Sequence, residues 1–181
     1  MLGRALANAG HPPARVINLQ TDAMPSRDDP DLAAAGLIVI FGGDGSANAV
    51  VHALEGWPGE VLVLPGGTSN LLSRSLHGEA SAEEIIALLG IGRLAAARRS
   101  CIRCAGTAAL IEVLAGPGAT WGDVREELRE GDPISAAGTA IAATRESATG
   151  AAVCIVEPPL GRDEGYPGVR MAPRGLHIIV D

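Results

Sequence analysis

Gly36-Leu37-Ile38-Val39-Ile40-Phe41 is an apolar run of strand length with no polar face. That is the pattern of a strand buried on both sides in a parallel sheet. Ser46 then opens a helical pattern, because Ala47, Val50, Val51 and Leu54 fall at i, i+3, i+4 and i+7 and make one apolar stripe. Gly56-Trp57-Pro58-Gly59 ends the stripe, and Val61-Leu62-Val63-Leu64 reads as a second buried strand. Strand, helix and strand at this spacing predict a parallel pair with a right-handed crossover. Ser81-Ala82-Glu83-Glu84 is a capping box with Glu84 at N3, and its helix runs through Ile85, Ile86, Leu88 and Leu89 to Gly90. Upstream, residues 2–10 read as a helix end with a glycine stop. Ala14 to Leu19 is expected as a short strand, Thr21 to Pro30 as a polar loop and Asp31 to Ala35 as a helical turn.

The second half is less regular. Arg98 to Ala105 and Ala108 to Leu114 read as strands joined at Gly106, and Trp121 to Glu130 and Ile134 to Ser147 as helices. Ala151 to Val156 and Leu176 to Val180 read as strands, with Leu160 to Pro173 a Gly/Pro-rich loop between them. The expected fold class is α/β. A doubly wound, mostly parallel sheet domain over residues 1–95 is followed by a smaller, partly β-rich domain with helices over 96–181. The chain stops on an apolar strand, so the second domain is expected to be incomplete.

Composition narrows the chemistry. All 14 basic residues are arginine, which excludes a phosphate-binding lysine and Schiff-base formation. Aromatic residues are 2% and the net charge is −7, which argues against nucleic acid as a partner. No apolar run reaches the roughly 20 residues that cross a bilayer, and no signal segment opens the chain, so a cytoplasmic location is expected. Cys101, Cys104 and Cys154 make no disulfide framework. The Cys101–Cys104 pair sits in an apparent strand, where cysteine acts as a small core residue, and no second pair completes a metal site.

The informative segment is Gly42-Gly43-Asp44-Gly45-Ser46, set between a buried strand and a helix. Its glycines let the backbone approach a ligand, and the helix start offers free N–H groups and a positive dipole end. This is a phosphate cradle that needs no lysine. Asp44 could there hold Mg²⁺ or accept a proton from an attacking hydroxyl. A second glycine loop, Pro65-Gly66-Gly67-Thr68-Ser69-Asn70, follows the next strand. In a parallel sheet both loops lie at the carboxyl ends of the strands, where ligands bind, and Thr68 and Asn70 add a hydroxyl and an amide. The pair points to a phosphate-bearing ligand, a nucleotide first.

These two loops, with Leu71-Leu72-Ser73-Arg74 after the second, resemble the diacylglycerol kinase catalytic domain family, which includes bacterial lipid kinases and sphingosine kinases. The resemblance spans about Leu37 to Leu76, and Thr21 stands where the family has a threonine after its second strand. It implies an ATP-dependent lipid kinase that transfers the γ-phosphate to a lipid hydroxyl such as that of diacylglycerol, at the periphery of a membrane. ATP would lie on Thr21, Gly42, Gly43, Gly45, Ser46, Gly66, Gly67, Thr68 and Asn70, and Asp44 would serve the transfer as base or through Mg²⁺. Arg74 is a candidate for meeting phosphate charge. The family's first strand is missing, and the apolar edge left bare would favour a homo-oligomer. Ala49 and Leu71 stand where the family has a glutamate and an aspartate, and its late Asp-Gly-Glu turn is absent. The alternatives are therefore a non-catalytic nucleotide- or lipid-binding relative, or a kinase of soluble substrates such as a NAD kinase or phosphofructokinase. His52 and the arginines at 93, 98, 99 and 103 read as solvated surface.

Overall fold

The two apolar runs pair in parallel in the computed structural model, which describes residues 1–104, 107–116, 150, 152–156, 159–173 and 175–179. Strand β1 (Leu37–Gly42) lies beside β2 (Glu60–Pro65) in a register running from Leu37–Glu60 to Gly42–Pro65. Alternation along the strands divides their side chains between two cores. Ile38, Ile40, Val61 and Val63 meet Ala47, Val50 and Leu54 of α3 (Asp44–Ala53), together with Leu72 of α4 (Leu71–His77) and Leu32 of α2 (Pro30–Ala33). Leu37, Val39, Leu62 and Leu64 meet Leu6 of α1 (Leu2–Asn8) and Ile85 and Ile86 of α5 (Ala82–Gly90). Leu64 and Ile85 are fully buried, and side chains of this size contribute roughly 1.5–3 kcal/mol each. The result is a mixed α/β arrangement with a small parallel sheet and helices packed on both of its faces.

The chain divides into two compact units, Met1–Ile111 and Glu112–Asp181. The first also holds the antiparallel hairpin of β3 (Ile102–Cys104) and β4 (Thr107–Ala109). In the second, β5 (Val113–Ala115), β8 (Gly168–Ala172) and β9 (Gly175–Ile179) form an antiparallel sheet in the order β5-β8-β9. A short pair, β6 (Ile155–Val156) with β7 (Pro159–Leu160), joins it there, and Val153 bridges to the buried Tyr166.

Several expectations are corrected. Ala14 to Leu19 is not a strand. Arg15 is drawn to Asp29 and Asp31 at 2.9 and 3.0 Å, and the Asn18 N–H donates to Asp22 at 2.8 Å, so local polar bonds replace a ladder. Helix α3 starts at Asp44 rather than Ser46: Gly43 is extended (φ −82°, ψ 176°) and its carbonyl accepts the first helical bond from Ala47 at 3.0 Å. The strand expected over Arg98 to Ala105 shrinks to β3, and the one over Ala108 to Leu114 is shared between β4 and β5. Of the strand expected over Ala151 to Val156, the described residues pair at Val153 and in β6. The loop expected over Leu160 to Pro173 contains all of β8, because non-local pairing with β5 and β9 outweighs its glycines. Cys101 is exposed rather than a core residue. The helices expected over 121–130 and 134–147 lie outside the described residues.

Candidate functional site

At the carboxyl ends of β1 and β2 the two glycine loops touch backbone to backbone. The Gly66 N–H donates to the Gly42 carbonyl at 3.1 Å. A Cβ at Gly66 would stand 2.7 Å from the Gly42 nitrogen, and one at Gly67 would stand 2.5 Å from the Gly43 Cα. No side chain fits at either position, so these glycines are required by the contact between loops. Gly45 differs, since a Cβ there would enter open space. It lies in the first turn of α3, whose N-terminus has no side-chain cap. First-turn N–H groups have no intrahelical acceptor, and the helix dipole adds positive potential at the same point. The exposed Ser46 and Thr68 place hydroxyls beside this open crest.

Asp44 ties the crest together. Its carboxylate accepts from the N–H groups of Leu71 at 2.9 Å and Leu72 at 2.7 Å, so the first loop supplies the cap of the helix that follows the second. Asn70, the residue in the N-cap position of α4, is left-handed (φ +47°) and turns its amide back on its own loop. There it accepts from the Gly67 N–H at 2.8 Å and donates to the Gly67 carbonyl at 2.7 Å. The sequence presents Asn70 as a ligand-facing amide, whereas the structure uses it to hold the loop's shape. Each Asp44 oxygen accepts one of these bonds and keeps a lone pair for a ligand.

The other candidates are dispersed. Thr21 is exposed in a turn, its hydroxyl donating to Asp22 at 3.2 Å, and no hydrogen bond among the described residues joins it to either loop. Arg74 is turned to Glu79 in an exposed ion pair, Nε donating at 3.0 Å. His52 is exposed in the last turn of α3, at the end away from the loops. An open groove of about 240 Å³ lies near it, lined by Val51, Leu54, Trp57, Val61 and Leu110. At its edge Arg103 pairs with Glu55. The hydrogen bond and charge of Arg103 hold the Glu55 carboxyl below its usual range, and Glu55 in turn raises Arg103.

One residue was missed. Asn48 of α3 donates to the Ala108 carbonyl at 2.9 Å and accepts from the Leu110 N–H at 3.1 Å, fastening the β4 segment to the helix that opens the crest. A polar amide one residue past the start of an apolar stripe was the available signal.

Among the described residues no group of three His, Cys, Asp or Glu side chains could hold a metal on its own. One carboxylate beside an open, uncapped helix start still suits Mg²⁺, which usually takes one or two carboxylates and shares substrate phosphates.

Residues 16–99 match the family model of the diacylglycerol kinase catalytic domain, the stretch that holds both glycine loops. No curated protein and no solved structure matches the chain.

Proposed function

We propose, on the premise that residues 16–99 are a diacylglycerol kinase catalytic segment, that the chain is an ATP-dependent lipid kinase. The observation that carries this is the crest: two glycine loops in backbone contact, crossed by the Asp44 carboxylate and open at Gly45. The polyphosphate of ATP lies at the N–H groups of the α3 start, with the hydroxyls of Ser46 and Thr68 beside it. Gly66, Gly67 and Asn70 keep the second loop against the first, so the cradle is formed before the nucleotide arrives. Preorganised donors of this kind carry most of the catalysis in phosphoryl transfer, which is chiefly positioning and charge neutralisation.

In the reaction the oxygen of a lipid hydroxyl bonds to the γ-phosphorus as the bond from that phosphorus to the bridging oxygen of ADP breaks. The hydroxyl proton passes to the free lone pair of Asp44 or to solvent. Mg²⁺, when bound, supplies neutralisation of phosphate charge, and Asp44 is the residue that would hold it. No helix among the described residues is long and apolar enough to cross a membrane, and on the lipid-kinase reading the acceptor is met at a bilayer surface. The test is transfer of labelled γ-phosphate to diacylglycerol in mixed vesicles. Lipid-dependent labelling is expected, and its absence in a folded, ATP-binding sample would refute the kinase reading.

A second reading is a nucleotide-binding relative without turnover. It is favoured by the two N–H bonds already taken by Asp44, and it predicts ATP binding with no labelled lipid.

A further inference from the structure

The sheet leaves one aromatic ring uncovered at the crest. Phe41 is the only phenylalanine of the chain. It is 56% exposed, although its partner in the register, Leu64, is fully buried. Strand alternation puts Phe41 on the same face as Leu37 and Val39. Those two pack against the core of α1 and α5, while Phe41 stands beyond it. The position is the last side chain of β1 before the glycine loop, and its carbonyl carbon lies 3.0 Å from where a Cβ of Gly66 would be. Trp57, by contrast, is turned away, its indole N–H donating to the Leu32 carbonyl at 3.0 Å.

Four residue steps separate Phe41 from Gly45, so the backbone at Phe41 and the open helix start are no more than about 14 Å apart. That is the scale of a nucleoside polyphosphate with its phosphates at Gly45. We infer that Phe41 is the base platform of the crest: its ring stacks a purine, and the site prefers purine over pyrimidine nucleotides by stacking area. The inference rests on the nucleotide reading above and adds the determinant of base preference. A ring at this point brings no hydrogen-bonding group to the base edge, so adenine and guanine nucleotides bind alike. Large flat bases gain most, because stacking grows with the π surface covered.

The experiment titrates the full chain, with Mg²⁺, against ATP, GTP, CTP and inorganic tripolyphosphate. The same titrations are made on Phe41→Ala, Phe41→Leu and Phe41→Trp, each checked for an unchanged thermal midpoint. Expected are similar affinities for ATP and GTP, weaker binding of CTP, and a loss of about tenfold in ATP affinity in Phe41→Ala. Phe41→Leu should behave as the alanine variant, Phe41→Trp should regain the affinity, and tripolyphosphate should bind all four proteins equally. Tripolyphosphate binding as tightly as ATP to the wild type overturns the platform and leaves the phosphate cradle standing. Full affinity in Phe41→Leu, or a loss of vesicle binding in Phe41→Ala with ATP affinity intact, overturns it as well. A chain that binds neither ATP nor tripolyphosphate overturns both the platform and the nucleotide reading.

Discussion

The carboxylate of Asp44 receives the N–H of Leu72 at 2.7 Å, across the gap between the two glycine loops. With the second bond, from Leu71 at 2.9 Å, Asp44 does for α4 what an N-cap side chain normally does from within its own helix. Asp44→Ala should therefore lower stability by about 1 kcal/mol, as loss of a helix cap does. Asp44→Asn, which keeps one acceptor oxygen, should lose less. Urea unfolding of the two variants checks this, and equal stability of wild type and Asp44→Ala would contradict the capping role.

The glycines of the crest separate into two kinds. Gly67→Ala forces a Cβ to within 2.5 Å of the Gly43 backbone, so the loops must part. A lower thermal midpoint and weakened ATP binding are expected together. Gly45→Ala meets open space inside a helix, where alanine is better than glycine by roughly 0.5–1 kcal/mol. Thermal unfolding should show it as stable as the wild type or more so. If Gly67→Ala unfolds at the wild-type temperature, the loops are not in contact.

His77, in the last turn of α4, has a buried Nε2 with no partner among the described residues. Burial holds its pKa below the ordinary imidazole value, against a smaller upward pull from a hydrogen bond to the Val63 backbone. The folded chain therefore takes up this proton less readily than the unfolded one. The associated stability is fully present above the ordinary value of 6.5 and is lost as pH falls below it, through the lowered value. Thermal midpoints between pH 7.5 and 5.5 should fall in the wild type and fall less in His77→Gln. Parallel curves would remove His77 as the cause.

Ser81 accepts from the Glu84 N–H at 3.3 Å, and the Ser81 N–H donates to the Glu84 carboxylate at 2.8 Å, a reciprocal cap at the start of α5. Ser81→Ala should cost about 1 kcal/mol in urea unfolding. A change of less than a few tenths would show that packing of Ile85 and Ile86 alone sets this helix.

Elements whose signal is local were legible in the chain. β1 and β2 declare themselves by uninterrupted apolar runs, α3 by its stripe and α5 by its capping box. Where a competing polar bond or a distant partner decides, the pattern failed. Ala14 to Leu19 is apolar enough to be expected as a short strand, but Arg15 and the Asn18 N–H are committed to aspartates nearby. Gly168 to Ala172 looks like a loop and becomes a strand only because β5 and β9 lie on either side of it. At the candidate site, the sequence placed both glycine loops and Asp44 at the carboxyl ends of β1 and β2, where the structure has them. It did not show that Gly66 and Gly67 serve the contact between loops, that Asn70 is spent on its own loop, or that Asn48 fastens β4. The contact between loops and the Asn48 link depend on residues far apart in the chain meeting in space, up to 62 positions for Asn48 and Leu110.

The proposed nucleotide site at the crest is the premise of the kinase reading. Calorimetric titration of ATP with Mg²⁺ into the full chain and into Gly45→Val tests it most directly, because a larger side chain at Gly45 enters only the space assigned to the phosphates. Binding at one site in the wild type is predicted, weakened at least tenfold in Gly45→Val at an unchanged thermal midpoint. A folded wild type that takes up no ATP, or a Gly45→Val variant that binds it as well as the wild type, would contradict the account.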